Sequence, residues 1–375
     1  MSTRVAVAAF TLLLICSSAG AFHRQTPAVV ALTDSGDVTL PRLAAGGRRL
    51  AIALDVDGRQ IFRQARRPID LQQITSAGDN RNPAISDSGA VVAWDSDCGL
   101  LGCTEPGRQI FLWSRGDTLQ VTTDPTGTSV NPALNGKGTL LAFESQGDLA
   151  GSGNAGVRQI FLRTNHGAIT QATTGQGDSR NPALSRNGRS LVYESTNDST
   201  GADGGVSQIW LAAGGTATPL TDGEGPSRLP NVSPDARVIV FESDADLITD
   251  GHDTRVSQIF SYDIRDGELC QLTDEPNGCS GASVQKVYFG DWRIGFVCHG
   301  EGFFQYHLSG QRFRLPTTGG DTSQVVAELG SFFFVVNTTA NMLSGGAPTP
   351  GHRVYMLNFW AYAPPQIGTV PQTCR

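Results

Sequence analysis

The chain has 375 residues, with 28 basic and 35 acidic side chains and a formal net charge of −7. Lys occurs only at 137 and 286, and no Lys/Arg run exists that could track a phosphate backbone, so nucleic acid is not an expected partner. No apolar run is long enough to span a bilayer.

The N-terminus carries Arg4, an apolar run from Val5 to Ile15, and small residues ending in Ala19-Gly20-Ala21. This is the pattern of a cleavable secretory signal over residues 1–21, which places the mature start near Phe22 and the mature protein in a secreted or periplasmic setting. Cys16 follows Ile15, where a lipid attachment signal needs a small side chain, so no lipid anchor is expected. Loss of the signal removes Cys16 and leaves six cysteines, at 98, 103, 270, 279, 298 and 374, an even number suited to disulfides in an oxidising compartment.

Beyond the signal, one phrase marks time along the chain. Gln-Ile-aromatic occurs at Gln60-Ile61-Phe62, Gln109-Ile110-Phe111, Gln159-Ile160-Phe161, Gln208-Ile209-Trp210 and Gln258-Ile259-Phe260, in steps of 49, 50, 49 and 50 residues. A period near 50 built from short strands and turns predicts an all-β fold, a single β-propeller in which each repeat is a four-stranded blade. Gly302 to Leu308 and His352 to Asn358 continue the rhythm, so seven blades are expected, with six or eight the alternatives. The fourth unit shows the order: Asn181 to Ser185, an Arg-Asn-Gly turn, Arg189 to Ser195, a polar loop, Gln208 to Ala213, a Gly-Gly turn, and Thr218 to Thr221. Gly and Asn supply the positive φ that tight hairpins demand.

The ends of the chain are complementary. Pro27 to Gly36 (PAVVALTDSG) matches the fourth-strand phrase LCQLTDEPNG, Leu269 to Gly278, before any inner strand has occurred, while the last unit stops after its third strand at Tyr362. Residues 28 to 33 are therefore expected to close the ring by completing the last blade, which removes its open edge. The propeller is assigned to residues 22–362 and a Pro-rich tail to residues 363–375.

The first hairpin of each unit repeats a longer phrase: RNPAISDSGAVVAWDS (Arg81 to Ser96), VNPALNGKGTLLAFES (Val130 to Ser145), RNPALSRNGRSLVYES (Arg180 to Ser195) and, more loosely, LPNVSPDARVIVFES (Leu229 to Ser243). Centring the hairpin on Asn187-Gly188 sets Asn181 opposite Glu194, Asn82 opposite Asp95 and Asn131 opposite Glu144, a repeated cross-strand polar pair. Arg81, Arg180 and Arg228 stand just before the inner strands. Loops entering strand one and leaving strand two share one face of a blade, so these arginines form a candidate binding rim with Asp95, Glu144, Glu194 and Glu242. The competing reading is that each arginine neutralises the nearby carboxylate.

The turns SPDAR (Ser233 to Arg237), SRNGR (Ser185 to Arg189) and SDSGA (Ser86 to Ala90) resemble the Ser-Pro-Asp-Gly turn of the TolB-type, WD-like propeller repeat, with Ala236 in place of the Gly. The resemblance runs from about residue 38 to 275. It implies a propeller in an extracytoplasmic space; it does not carry over TolB's part in the Tol-Pal envelope system, since the first 37 residues leave no room for TolB's additional N-terminal domain.

Propeller enzymes related to this repeat add a hydrolase domain or hold an axial metal. No Gly-x-Ser-x-Gly elbow exists here, and no catalytic residues are assigned. The mature histidines, 23, 166, 252, 299, 307 and 352, have no recognised ligand spacing, so no metal ligands are assigned either. The loop from Ser243 to Gln258 carries Asp244, Asp246, Asp250 and Asp253, and the preceding unit's loop carries Asp198 and Asp203; these hard oxygens could take calcium, although the expected cofactor is none.

The cysteines fall in three places. Cys98 and Cys103 flank one loop and are the simplest local pair. Cys279 just precedes the inner strand of the sixth unit and Cys298 closes its second strand, which places them side by side; Cys270 then takes Cys374. A 270–279 link with 298–374 remains the alternative. The functional expectation is a monomeric, non-enzymatic module that binds an extracytoplasmic protein or peptide, against a lyase or hydrolase that acts on an extracellular polysaccharide through an axial metal.

Overall fold

The computed structural model describes residues 29–31, 38–44, 49–55, 58–66, 70–97, 107–123, 129–153, 156–198, 200–249, 251–287, 290–315, 322–329, 333–339, 353–358, 366–369 and 372–375. Secondary structure among them consists of strands alone. The signal segment, Cys98 and Cys103 lie outside the described residues.

Antiparallel pairing collects the strands into seven sheets in chain order. Val38–Leu43, Leu50–Asp55, Arg59–Arg66 and Asp70–Gln73 form the first; Asn80–Ile85, Val91–Ser96, Gln109–Ser114 and Asp117–Gln120 the second. The third holds Val130–Leu134, Leu140–Ser145, Gln159–Thr164 and Ile169–Gln171, and the fourth Ser179–Leu184, Ser190–Asn197, Asp203–Ala213 and Thr216–Pro219. Ser227–Val232, Val238–Ala245, Asp253–Asp263 and Glu268–Gln271 make the fifth; Cys279–Lys286, Trp292–Cys298, Glu301–Tyr306 and Gln311–Arg314 the sixth. The seventh joins Thr322–Leu329, Phe333–Thr338 and Arg353–Asn358 to Val29–Ala31, which pairs with Tyr355 to Leu357. Each first strand packs against the first strand of the next sheet, and Thr322–Leu329 packs back on Val38–Leu43, so the first strands surround a common axis.

Burial is greatest in the second strands and falls from them toward the outer edge. Second strands such as Leu140–Ser145 and Val238–Ala245 are almost wholly buried, because neighbouring sheets cover both of their faces; they therefore read as apolar runs rather than as alternation. The fourth strand Thr216–Pro219 is exposed throughout.

The Gln-Ile-aromatic phrase performs two tasks in each of the first five sheets and a third, ring stacking, in the second to fifth. The Gln carbonyl oxygen accepts from a Thr on the fourth strand side: Thr75 to Gln60 at 2.8 Å, Thr122 to Gln109 at 2.7 Å, Thr173 to Gln159 at 2.7 Å, Thr221 to Gln208 at 2.6 Å and Thr273 to Gln258 at 2.7 Å. The same Thr hydroxyls accept the Ile backbone N–H. The aromatic stacks on its cross-strand neighbour, as in Trp94–Phe111 at 6.0 Å and Phe241–Phe260 at 5.8 Å between centroids.

First-hairpin turns require a left-handed residue. Gly89, Gly138 and Gly188 hold it at φ 72°, 69° and 73°, and Ala236 holds it at 57°. A Cβ in that conformation costs about 1 kcal/mol that glycine avoids. Ala236→Gly should therefore raise stability by about 1 kcal/mol, read as a higher denaturation midpoint; an unchanged or lower midpoint would show that the turn relaxes around the methyl group.

Two of the sheets have five strands, a departure from the expected four. Gln366–Thr369 pairs outside Gln311–Arg314, and Thr373–Cys374 pairs outside Glu268–Gln271, so the tail adds an outer strand to two adjacent sheets. The tail is a source of β-structure rather than an appendage, because the open edges of those sheets offer unpaired backbone groups. Disulfides join Cys270 to Cys374 and Cys279 to Cys298; the alternative 270–279 link is not formed.

Candidate functional site

The first strands of the first six sheets line a cavity of about 380 Å³ on the axis. Its wall is made by the repeated Asn-Pro-Ala phrase: Asn82-Pro83-Ala84, Asn131-Pro132-Ala133 and Asn181-Pro182-Ala183, continued by Leu229-Pro230-Asn231. These residues sit at a bulge. Register passes from Arg81↔Asp95 to Ala84↔Ala93, from Val130↔Glu144 to Ala133↔Ala142, from Arg180↔Glu194 to Ala183↔Val192, and from Arg228↔Glu242 to Asn231↔Val240, leaving one extra residue in each inner strand. That residue takes positive φ: Asn82 49°, Asn131 53°, Asn181 49° and Leu229 52°. Asn tolerates the left-handed region, which explains its recurrence.

The bulge corrects the expected pairing. Hairpin arithmetic without an inserted residue placed Asn181 opposite Glu194, whereas Arg180 stands there. Asn82 still reaches Asp95 at 2.8 Å, and Asn131 hydrogen-bonds Glu144. Asn181 instead accepts from Asn131 at 3.3 Å through its side-chain oxygen.

The four carboxylates of the supposed rim are buried, Asp95 at 0%, Glu144 at 1%, Glu194 at 7% and Glu242 at 6% exposure. Each accepts the backbone N–H at the bulge of the next sheet: Asn131 to Asp95 at 3.3 Å, Asn181 to Glu144 at 3.4 Å, Leu229 to Glu194 at 2.8 Å and Gly281 to Glu242 at 2.7 Å. They are clips between sheets. A bulge leaves an N–H without a ladder partner, and a carboxylate from the neighbouring sheet satisfies it. Burial holds the carboxyls of Asp95, Glu144 and Glu242 above the ordinary range, outweighing the hydrogen bonds and arginine charges that pull them down.

The rim arginines meet other acids. Arg81 pairs with Asp79 at 2.5 Å, Arg180 with Asp178 at 2.6 Å and Arg228 with Asp244 at 2.7 Å, all three arginines half-exposed. Sequence reasoning missed the arginines that serve the buried carboxylates. Arg108 reaches Asp95 at 2.5 Å and Arg158 reaches Glu144 at 3.4 Å. Arg59, Arg81 and Arg108 converge on Asp79, whose carboxyl burial would raise but which the Arg81 hydrogen bond and the three charges hold below its usual value. The available signal was Arg before Gln-Ile-Phe at 59, 108 and 158; Ser207 and Ser257 take that place in the next two units.

Among the described residues the histidines and acidic loops are dispersed; His23, Asp250 and His352 lie outside those residues. His307 is buried edge-on to Trp292 at 5.9 Å, and desolvation pushes its pKa down. His299 meets Glu275 and His252 meets Glu224 on the exterior. In the loops, Asp198 accepts the N–H of Thr200 and Ala202, Asp246 those of Ile248 and Thr249, and Asp253 that of Arg255, so these carboxylates brace their own turns. Among the described residues the single His/Cys/Asp/Glu cluster is Glu268, Cys270 and Cys374, and its two sulfurs form the disulfide. No helix among the described residues is long and apolar enough to cross a membrane.

No protein-family model and no curated protein matches the chain. Solved structures do. The Cps50 (Swd1) β-propeller domain of Myceliophteria thermophila is 10% identical, with 88% of this chain and 99% of that one covered, at a TM-score of 0.56. The β-propeller domain of the Trilobed protease from Pyrococcus furiosus is also 10% identical, with 86% and 95% covered and a TM-score of 0.56. A putative TolB from Agrobacterium tumefaciens is 19% identical over 64% of this chain and 81% of that one, at a TM-score of 0.47. Radial sheets, a shared axis and the two likenesses at a TM-score of 0.56 make the fold a single all-β propeller.

Proposed function

We propose that the protein is an extracytoplasmic, non-enzymatic binding module of the TolB-type repeat class, a ring of seven blades closed by its N-terminal strand, that holds a protein or peptide at the mouth of its axial cavity. The seven sheets and the pairing of Val29–Ala31 with the last of them support the ring. Two disulfides and the signal-like N-terminus support the compartment. The observation that carries the binding reading is the cavity itself, walled by small and amide side chains from successive blades and reached past the exposed Arg81, Arg180 and Arg228. Polysaccharide cleavage through an axial metal needs several converging ligands; the described lining offers one carboxylate, Glu242, and no histidine.

Peptides selected from a random phage-displayed library on the immobilised mature protein should lose affinity at least about tenfold on Ala183→Trp, which fills the cavity. Selected peptides that bind Ala183→Trp as they bind the parent, with that variant melting normally, would remove the cavity from the function. Metal-dependent release of oligosaccharides from an extracellular polymer would favour the enzyme instead.

A further inference from the structure

Arg42 lines the axial cavity. It occupies the register position after the bulge proline that Ala84, Ala133 and Ala183 occupy in other blades, being paired with Ala51 as they are with Ala93, Ala142 and Val192. Its side chain is exposed to solvent in the cavity it lines, while the density of protein around it in the ring's interior lowers its pKa by desolvation. Among the described residues no ion pair or hydrogen bond engages its side chain, unlike Arg81, Arg108, Arg158, Arg180 and Arg228. Glu242, the carboxylate in the same lining, is committed to the Gly281 N–H. A guanidinium that faces the cavity and is not committed to a carboxylate among the described residues is free to take an anion that enters, bidentately.

A second departure from the repeat lies on another part of the wall. Leu229 replaces the bulge Asn, holds φ 52° and leaves 48% of its surface exposed. A bulky aliphatic residue in the left-handed region is strained, such strain concentrates at ligand sites, and its exposure leaves the side chain available for contact. Leu229 precedes its bulge proline, whereas Arg42 follows its own, so the apolar side chain lies nearer the arginine-bearing mouth and the cation deeper.

We propose that the axial cavity takes a peptide segment bearing one carboxylate beside an apolar side chain, with the carboxylate seated on Arg42 and the apolar group against Leu229. The proposal rests on the cavity being the binding site, as above. One guanidinium balances one negative charge, and a doubly charged phosphate would face the net negative chain and Glu242 with its second charge uncompensated.

The probe is N-acetyl-leucine against its neutral amide, followed by saturation-transfer NMR at low salt. The acid should bind saturably and the amide about tenfold more weakly; Arg42→Gln should weaken the acid about tenfold, leave the amide unchanged, and melt no lower than the parent, because no native pair is lost. Arg42→Lys should retain part of the affinity, and added salt should erode it. Equal binding of acid and amide, no saturable binding of either, or an Arg42→Gln variant that binds the acid like the parent would overturn the proposal. Selected peptides that respond to Ala183→Trp but ignore Arg42→Gln would leave the cavity reading standing and remove the carboxylate; selected peptides that ignore Ala183→Trp beside acid binding that still depends on Arg42 would do the reverse.

Discussion

Glu144→Ala should destabilise the protein by about 3–5 kcal/mol, the cost of stranding buried polar groups around a lost charge. Its carboxylate holds the Asn131 side chain in its own blade, the Asn181 N–H of the next blade at 3.4 Å and the Arg158 guanidinium at 3.4 Å. All three lose their acceptor together, at a site buried beneath the rim. Chemical denaturation reads the change, and a loss under about 1 kcal/mol would place the clip among ordinary surface ion pairs. The pH dependence has a determined sign. Asp95, Glu144 and Glu242 hold their protons more tightly in the fold than in the unfolded chain. Between the ordinary carboxylate value near ~4 and their raised values, their contribution to stability therefore falls as pH rises. Glu144→Gln keeps an amide oxygen for Asn131 and Asn181 and should flatten that slope by up to about 1.4 kcal/mol per pH unit, one proton's worth. A slope identical to the parent's would contradict the assignment.

Removing the disulfide between Cys270 and Cys374 by changing both to Ser should cost about 2–5 kcal/mol and free the outer strands of the fifth and sixth sheets. The bond closes a separation of 104 residues, against 19 for Cys279–Cys298. Loop-closure entropy makes the longer link worth about 1.5 kcal/mol more in the unfolded chain. The tail also has backbone bonds that the bond keeps in register, Leu269 N–H to Arg375 and Arg375 N–H to Leu269, both at 2.9 Å. Calorimetry on the two double-Ser variants should therefore show the larger drop for 270/374, together with faster hydrogen exchange at the Leu269 and Arg375 amides. The opposite order would mean that the tail strands contribute little to the folded ring.

Local chemistry was open to reading from the chain. The repeat of Gln-Ile-aromatic marks a Gln–Thr hydrogen bond, a core Ile and a stacked ring, so a period in the sequence is a period in the blades. Cys279 and Cys298 could be placed together because they flank one antiparallel hairpin, where neighbouring strand ends meet. The inserted bulge residue was not readable: one extra residue shifts register by one and exchanges Arg180 for Asn181 opposite Glu194. What Asp95, Glu144, Glu194 and Glu242 serve is a neighbouring blade's N–H, a contact between residues 35 to 39 apart that no hairpin arithmetic contains. Arg42 was invisible for the same reason. Its sequence neighbours, Pro41 and Leu43, say nothing of the cavity it faces, and only the convergence of six inner strands sets an ordinary arginine in that wall.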